Sequence, residues 1–166
     1  MIFNGALRIG LGVDSHRLEP GGPLILGGLK LDYPIHCVGH SDADVLLHAI
    51  TDAILSAGGL PDIGELFPND REENRGRDSS EMLSMAMEVF RLQGWSLHQI
   101  DCVIEMEKPK IFPHKDEMRT TIANILGISV DRVGLKGKTG EGIGEIGRGE
   151  LAKATCVVLA VGPTSP

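Results

Sequence analysis

Leu7, Ile9, Leu11 and Val13 alternate with Arg8, Gly10 and Gly12, the two-residue period of a strand over residues 7–13. Residues 23–26 and 29–31 are short apolar runs on either side of Gly27-Gly28, a hairpin signal. From residue 42 to 58 the period lengthens. Val45, Leu46, Ala49, Ile50, Ala53 and Ile54 repeat at helical spacing, with Ser41 or Asp42 as cap and Gly58-Gly59 as stop. A second helix opens at Ser79 or Ser80 and runs to about Gln93, before Gly94. A third covers residues 115–126 and ends at Gly127. Residues 97–105, 133–136 and 155–161 read as strands. The order β-ββ-α-α-β-α-β-β predicts an α+β fold, a mixed β-sheet with helices packed on one face. Residues 69–80 are the longest polar stretch and read as a mobile flap. Residues 162–166 read as a frayed terminus.

The chain has 166 residues, enough for one domain over 1–166 (core about 8–161) that buries roughly 70% of its unfolded surface without disulfides. Hydrophobic residues make up 42% and charged residues 23%, which excludes a disordered chain. No apolar run approaches the ~20 residues of a membrane span. The start lacks a basic segment feeding a long apolar stretch, so neither a signal nor a transit peptide is expected and the reading is cytoplasmic, or plastid stroma in a eukaryote. The formal net charge is −7, which argues against broad nucleic-acid binding. It leaves room for a small anionic substrate held by local cations or a metal. Cys37, Cys102 and Cys156 are widely spaced and form no CxxC, which excludes a thiolate zinc knuckle and fits a reducing compartment. Cys37 reads as partly exposed, the other two as small core residues.

Five segments carry candidate chemistry. Asp14-x-His16 follows the first strand; if the strand continues, both side chains point the same way. His48 lies on the first helix, with Asp44 and Asp52 four residues to either side. Two histidines and a carboxylate suit Zn²⁺ with an open fourth position, and a helical carboxylate could orient the ligating histidine. His40-Ser41-Asp42-Ala43-Asp44 sits at a helix N-terminus, which favours an anion or simply an N-cap. Asp62-Ile63-Gly64 with Phe67-Pro68-Asn69 makes a turn able to meet sugar hydroxyls, or a structured connector. Lys108 to His114 contains Pro109 and Pro113, and its extended backbone could face a base or simply join a strand to a helix. The stretch from Gly134 to Gly149 contains seven of the 22 glycines. There Lys136, Lys138, Thr139 and Arg148 suit a phosphate cradle and Glu141 suits Mg²⁺. Its Gly-Lys-Thr lacks the spacing of a Walker A loop. Residue types alone reach phosphoryl transfer or diphosphate chemistry.

Taken together and in order, these segments resemble the 2-C-methyl-D-erythritol 2,4-cyclodiphosphate synthase family of the non-mevalonate isoprenoid pathway. The matching pieces are Arg8 to His16, His40 to Ala53, Asp62 to Pro68, Pro109 to His114, and Lys136 to Glu150, spread over residues 8–161. The resemblance implies a homotrimer with active sites between subunits. It implies Zn²⁺ on Asp14, His16 and His48, and Mg²⁺ at Glu141. His40 and Thr139 match transition-state stabilisers. Ser41 matches a neighbour of the substrate phosphate, and Asp62, Ile63, Gly64, Phe67, Pro68, Asn69, Asp70 and Arg71 match the methylerythritol side. Lys138, Gly140, Glu145 and Arg148 fall at further substrate positions. Met106, Glu107, Lys108, Pro109, Lys110, Ile111 and Phe112 match the cytidine pocket. The implied lyase reaction turns 4-diphosphocytidyl-2-C-methyl-D-erythritol 2-phosphate into the cyclic diphosphate and CMP. Lys138 and Gly140 interrupt what is a run of threonines in many members. Glu145 replaces an apolar or aromatic residue and Asn69 an Asp. The rival readings are a metal-dependent phosphohydrolase using water, and a non-catalytic nucleotide- or isoprenoid-binding protein.

Overall fold

A computed structural model describes residues 5–162 of the chain. Strand β1 (Leu7–Pro20) is twice the length that apolar alternation marks, because its polar second half is held by backbone pairing rather than by burial of side chains. A tight hairpin follows, β2 (Leu24–Leu26) and β3 (Leu29–Leu31), with Gly27 and Gly28 both at positive φ as a two-residue turn requires. Then come β4 (Ile35–Cys37), α1 (Val45–Gly58), a one-turn α2 (Ile63–Leu66) and α3 (Ser79–Leu92). The chain continues with β5 (Ser96–Glu105), α4 (Lys115–Leu126), β6 (Val133–Lys138), a one-turn α5 (Gly144–Gly147) and β7 (Leu151–Val161).

The main sheet has the order β4-β1-β7-β5-β6 and is antiparallel except for the parallel pair β5–β6. It is the mixed sheet expected, with α1 lying on β1 and β7. Two glycines set that approach. A Cβ at Gly10 would stand 1.8 Å from the Ala53 carbonyl oxygen, and one at Gly12 2.0 Å from that of Ala49. Helix α1 is apolar almost all round because α3 covers it from the other side, Phe90, Leu83 and Met87 being fully buried. The opposite face of the sheet is uncovered in the single chain. Leu7, Ile9, Leu11 and Val13 of β1 and Val157 of β7 stand exposed there, Ile9 at 72%.

Several local expectations change. Helix α1 begins at Val45, and its cap is Asp44, not Ser41 or Asp42. Ala43 at φ 58° turns the chain so that the Asp44 carboxylate accepts from the N–H groups of Leu46 and Leu47 and, across the fold, from Gly28. Cys37 is buried rather than partly exposed, and burial, with Asp44 and Asp14 adding, pushes its thiol up to about 12. Strand β7 starts at Leu151, four residues early. The segment read as a flap is pinned. Buried Asn74 donates to the Pro68 carbonyl, Gly76 N–H to that of His40, and Asp42 N–H to that of Arg77. Residues 1–4, on which part of the leader reading rests, and 163–166 of the frayed tail lie outside the described residues.

Candidate metal centre and phosphate pocket

Because β1 continues past Val13, Asp14 and His16 stay on the face that carries Gly10 and Gly12, against α1. Helix α1 brings His48 to the same corner. Asp14 Oδ2 lies 2.9 Å from His16 Nε2 and 3.0 Å from His48 Nδ1, and the two ring nitrogens are 3.1 Å apart. The three side chains are mostly shielded, His48 at 11% and His16 at 15% exposure. Among the described residues this is the one group of three His, Cys, Asp or Glu side chains close enough to hold a metal ion. One carboxylate and two imidazoles, with donor atoms near the ~3.4 Å spacing of a tetrahedral ion's ligands, suit a divalent transition-metal ion with an open position. His16 Nδ1 donates to the Val38 carbonyl at 2.8 Å, so in the neutral ring the lone pair lies on Nε2, facing Asp14.

Electrostatics at the corner are those of a cation site. Burial alone would raise the Asp14 carboxyl. Hydrogen bonds from His16 and His48 and their charges overcome it and hold the group well below the carboxylate range. Burial opposes protonation of His16, but the Asp14 hydrogen bond and charge prevail and raise it. Neither helical aspartate orients His48 as expected. Asp44 spends its carboxylate on the cap, and burial raises its pKa. Asp52 accepts from Ile63 N–H at 2.8 Å and so fastens α2 to α1, its carboxyl raised by burial.

The metal corner opens into a cavity of about 260 Å³ lined by Asp14, His16, His40, Ser41, His48, Ile63, Gly64, Phe67 and Asn69, with Val38, Gly39, Asn74 and Met82. His40 Nε2 is buried there without a partner, a polar atom that a ligand could satisfy. Asp62 caps α2 through Glu65 instead of lining the cavity. Pro68, Asp70 and Arg71 also lie off its wall, Arg71 paired with Glu73 at 3.7 Å.

A second cavity, of about 480 Å³, gathers Met106, Pro109, Lys110, Ile111, Phe112, Lys136, Lys138, Thr139 and Glu141, joined by Gly137 and Lys115. Glu107 lies outside its wall and accepts from Gly140 N–H at 3.0 Å. Glu141 sits at φ 51° and accepts from the Thr139 hydroxyl at 2.7 Å. Lys136 is bound to Asp101 at 2.6 Å, whereas Lys110, Lys115 and Lys138 have no ion-pair partner among the described residues. Arg148 lies outside this wall, paired through two hydrogen bonds of 2.9 Å with Glu150, and Lys108, Gly140 and Glu145 also lie outside it. Register places the cavities at one level of the sheet: Asp14 opposes Ala154, Ala154 opposes Ile104, and Ile104 opposes Gly137. Three strand spacings, about 14 Å, separate them.

The chain matches the YgbB family over residues 7–161. A 2-C-methyl-D-erythritol 2,4-cyclodiphosphate synthase of Rhodopirellula baltica is 51% identical over 154 residues, 93% of either chain. The chain belongs to this synthase family. Among solved structures, the bifunctional IspDF from Campylobacter jejuni is similar at a TM-score of 0.91 and 35% identity, over 95% of this chain. The chain spans 43% of that longer protein. A CDP-bound form of a synthase bearing the family name gives a TM-score of 0.85 at 41% identity, over 92% of this chain and 99% of that one.

Sequence reasoning missed three participants in the metal corner: the Val38 carbonyl, Asp42, expected only as a cap, and Ser79. The Ser79 hydroxyl reaches His48 Nε2 at 2.9 Å across 31 residues of chain, and no spacing rule signals such a contact.

Proposed function

We propose that this protein converts 4-diphosphocytidyl-2-C-methyl-D-erythritol 2-phosphate into 2-C-methyl-D-erythritol 2,4-cyclodiphosphate and CMP. The carrying observation is the convergence of Asp14, His16 and His48 beside His40 and Ser41, in a chain of this family. An oxygen of the 2-phosphate attacks the β-phosphorus. The bond from that phosphorus to the oxygen bridging the α-phosphate breaks, and CMP leaves with the electron pair. The attacking oxygen is already anionic, so no strong base is needed and catalysis rests on positioning and charge neutralisation. Zn²⁺ on the triad would polarise the β-phosphate, and Mg²⁺ beside Glu141 would offset charge on the leaving group.

The remaining work belongs to the chain's own side chains. His40 and Thr139 stabilise the charge of the transition state, and Ser41 holds a phosphate oxygen. Ile63, Gly64, Phe67 and Asn69 face the methylerythritol, with Asp62, Pro68, Asp70 and Arg71 behind them. Met106 to Phe112 take the cytidine, and Lys110, Lys115 and Lys138 supply positive charge for the nucleotide end. Arg148 exchanges Glu150 for substrate. The ~14 Å between the two cavities supports a site completed by a neighbouring copy, and the uncovered apolar sheet face supports assembly, here as a homotrimer. Among the described residues no helix is long and apolar enough to cross a membrane. The bacterial relatives support a cytoplasmic setting.

Phosphorus NMR tests the reaction. Wild-type protein with substrate, Zn²⁺ and Mg²⁺ is expected to yield CMP and a cyclic diphosphate, and His48→Ala is expected to lose turnover by at least about a thousandfold. Linear phosphate products would mean hydrolysis by water. Nucleotide binding without turnover would mean a non-catalytic protein.

A further inference from the structure

Ser79 is the first residue of α3 and is wholly buried, an uncommon place for a hydroxyl. Asp42 takes both of its polar hydrogens. Its N–H donates to Asp42 Oδ2 at 3.1 Å, and its hydroxyl donates to Asp42 Oδ1. Asp42 Oδ1 also takes the Asp44 N–H at 3.2 Å, so this carboxylate is surrounded by donors. A carboxylate only accepts, and a hydroxyl has one proton to give. With that proton committed to Asp42, Ser79 Oγ can offer only a lone pair to His48 Nε2, 2.9 Å away. His48 Nε2 must then carry the hydrogen.

The consequence lies at the other end of the ring. In the neutral ring His48 Nδ1 is left with its lone pair, 3.0 Å from Asp14 Oδ2 and 3.1 Å from His16 Nε2. His16 is arranged the same way, its far nitrogen donating to the Val38 carbonyl. With both rings neutral, three acceptor atoms thus face one another, which is unfavourable unless a proton or a metal cation lies among them. We infer that Asp42 and Ser79 are positioning residues: a carboxylate–hydroxyl–imidazole relay that fixes the His48 ring and tautomer so that Nδ1 is its metal-ligating atom. This inference rests on the metal reading of the triad. Ser41 Oγ, 3.1 Å from the same Nε2, accepts from Ala43 N–H and keeps its own proton uncommitted, so unlike Ser79 it does not dictate which His48 nitrogen carries the hydrogen.

The test is made on the full chain with Zn²⁺ alone. Competition against a chromophoric chelator is expected to show Ser79→Ala binding Zn²⁺ about 10–100-fold more weakly than wild type, with Ser79→Thr recovering most of the loss. Long-range ¹H–¹⁵N spectra of Zn²⁺-loaded wild type are expected to show His48 protonated at Nε2 and metal-shifted at Nδ1. This measurement stands even where a variant folds poorly. Equal affinity of folded Ser79→Ala and wild type, or ligation through His48 Nε2, overturns the relay. Wild type that binds Zn²⁺ no better than His48→Ala overturns the metal reading itself, and the relay with it.

Discussion

At the scale of single residues, the Asp14–His16 pair makes a sign-definite statement about pH. The metal-free protein has an Asp14 carboxyl below its ordinary 3.8, so that contribution is complete above 3.8 and is lost as pH falls through the lowered value. His16 lies above its ordinary 6.5, so its contribution is complete below 6.5 and is lost as pH rises through the raised value. The pair therefore stabilises the metal-free fold most between the two ordinary values. Denaturant unfolding of chelated protein at about pH 5 and about pH 9 is expected to show wild type losing more stability than His16→Gln over that interval. An equal loss in both proteins would refute the pairing. Binding of a metal cation displaces the proton from His16, so Zn²⁺ affinity is expected to climb with pH through the same raised value.

At the scale of elements, the metal corner is a product of how closely α1 lies on β1. Gly10 and Gly12 leave the helix backbone in contact with the strand, and that contact carries His48 to Asp14. Gly12→Ala puts a methyl carbon 2.0 Å from the Ala49 carbonyl oxygen, next to His48, so the helix must lift. The expected result is a loss of about 3 kcal/mol in unfolding free energy together with a fall in Zn²⁺ affinity. Retained stability and affinity would show that the contact does not set the site. The register of β1 on β7 matters equally. Asp14 opposes Ala154 and His16 opposes Ala152, small buried residues that leave room for the triad, and a slip of one residue would turn both ligands to the outer face.

At the scale of the whole molecule, the outer sheet face is the largest feature that a single chain leaves unexplained. A row of four exposed apolar side chains on β1, with Val157 beside it, is costly in water. Assembly of three copies through this face would bury it. If the protein is the proposed homotrimer, wild type has a light-scattering mass of three chains, and Ile9→Asp is expected to shift it to one and to abolish turnover while sparing Zn²⁺ binding, because the triad lies on the other face of the strand. A variant that remains a trimer would place the interface elsewhere.

The apolar periods alone determined α1, α3, α4, the Gly27-Gly28 hairpin and the central strands, because periodic burial is a local property of the chain. The residue types at positions 14, 16 and 48 offered a metal site only as one reading, and the family resemblance singled it out; the convergence of the three side chains supports it. Tertiary structure decided the rest. The second half of β1 has no apolar alternation and exists because the backbone ladder to β7 continues. Asp44 takes the cap from Ser41 and Asp42 because Gly28, sixteen residues away, offers it a further donor. Asp52 serves α2 and not His48, and Ser79 meets His48 only because α3 starts against the loop before α1. Such hydrogen bonds join segments far apart in the chain, and their partners are selected by packing, which no local pattern encodes.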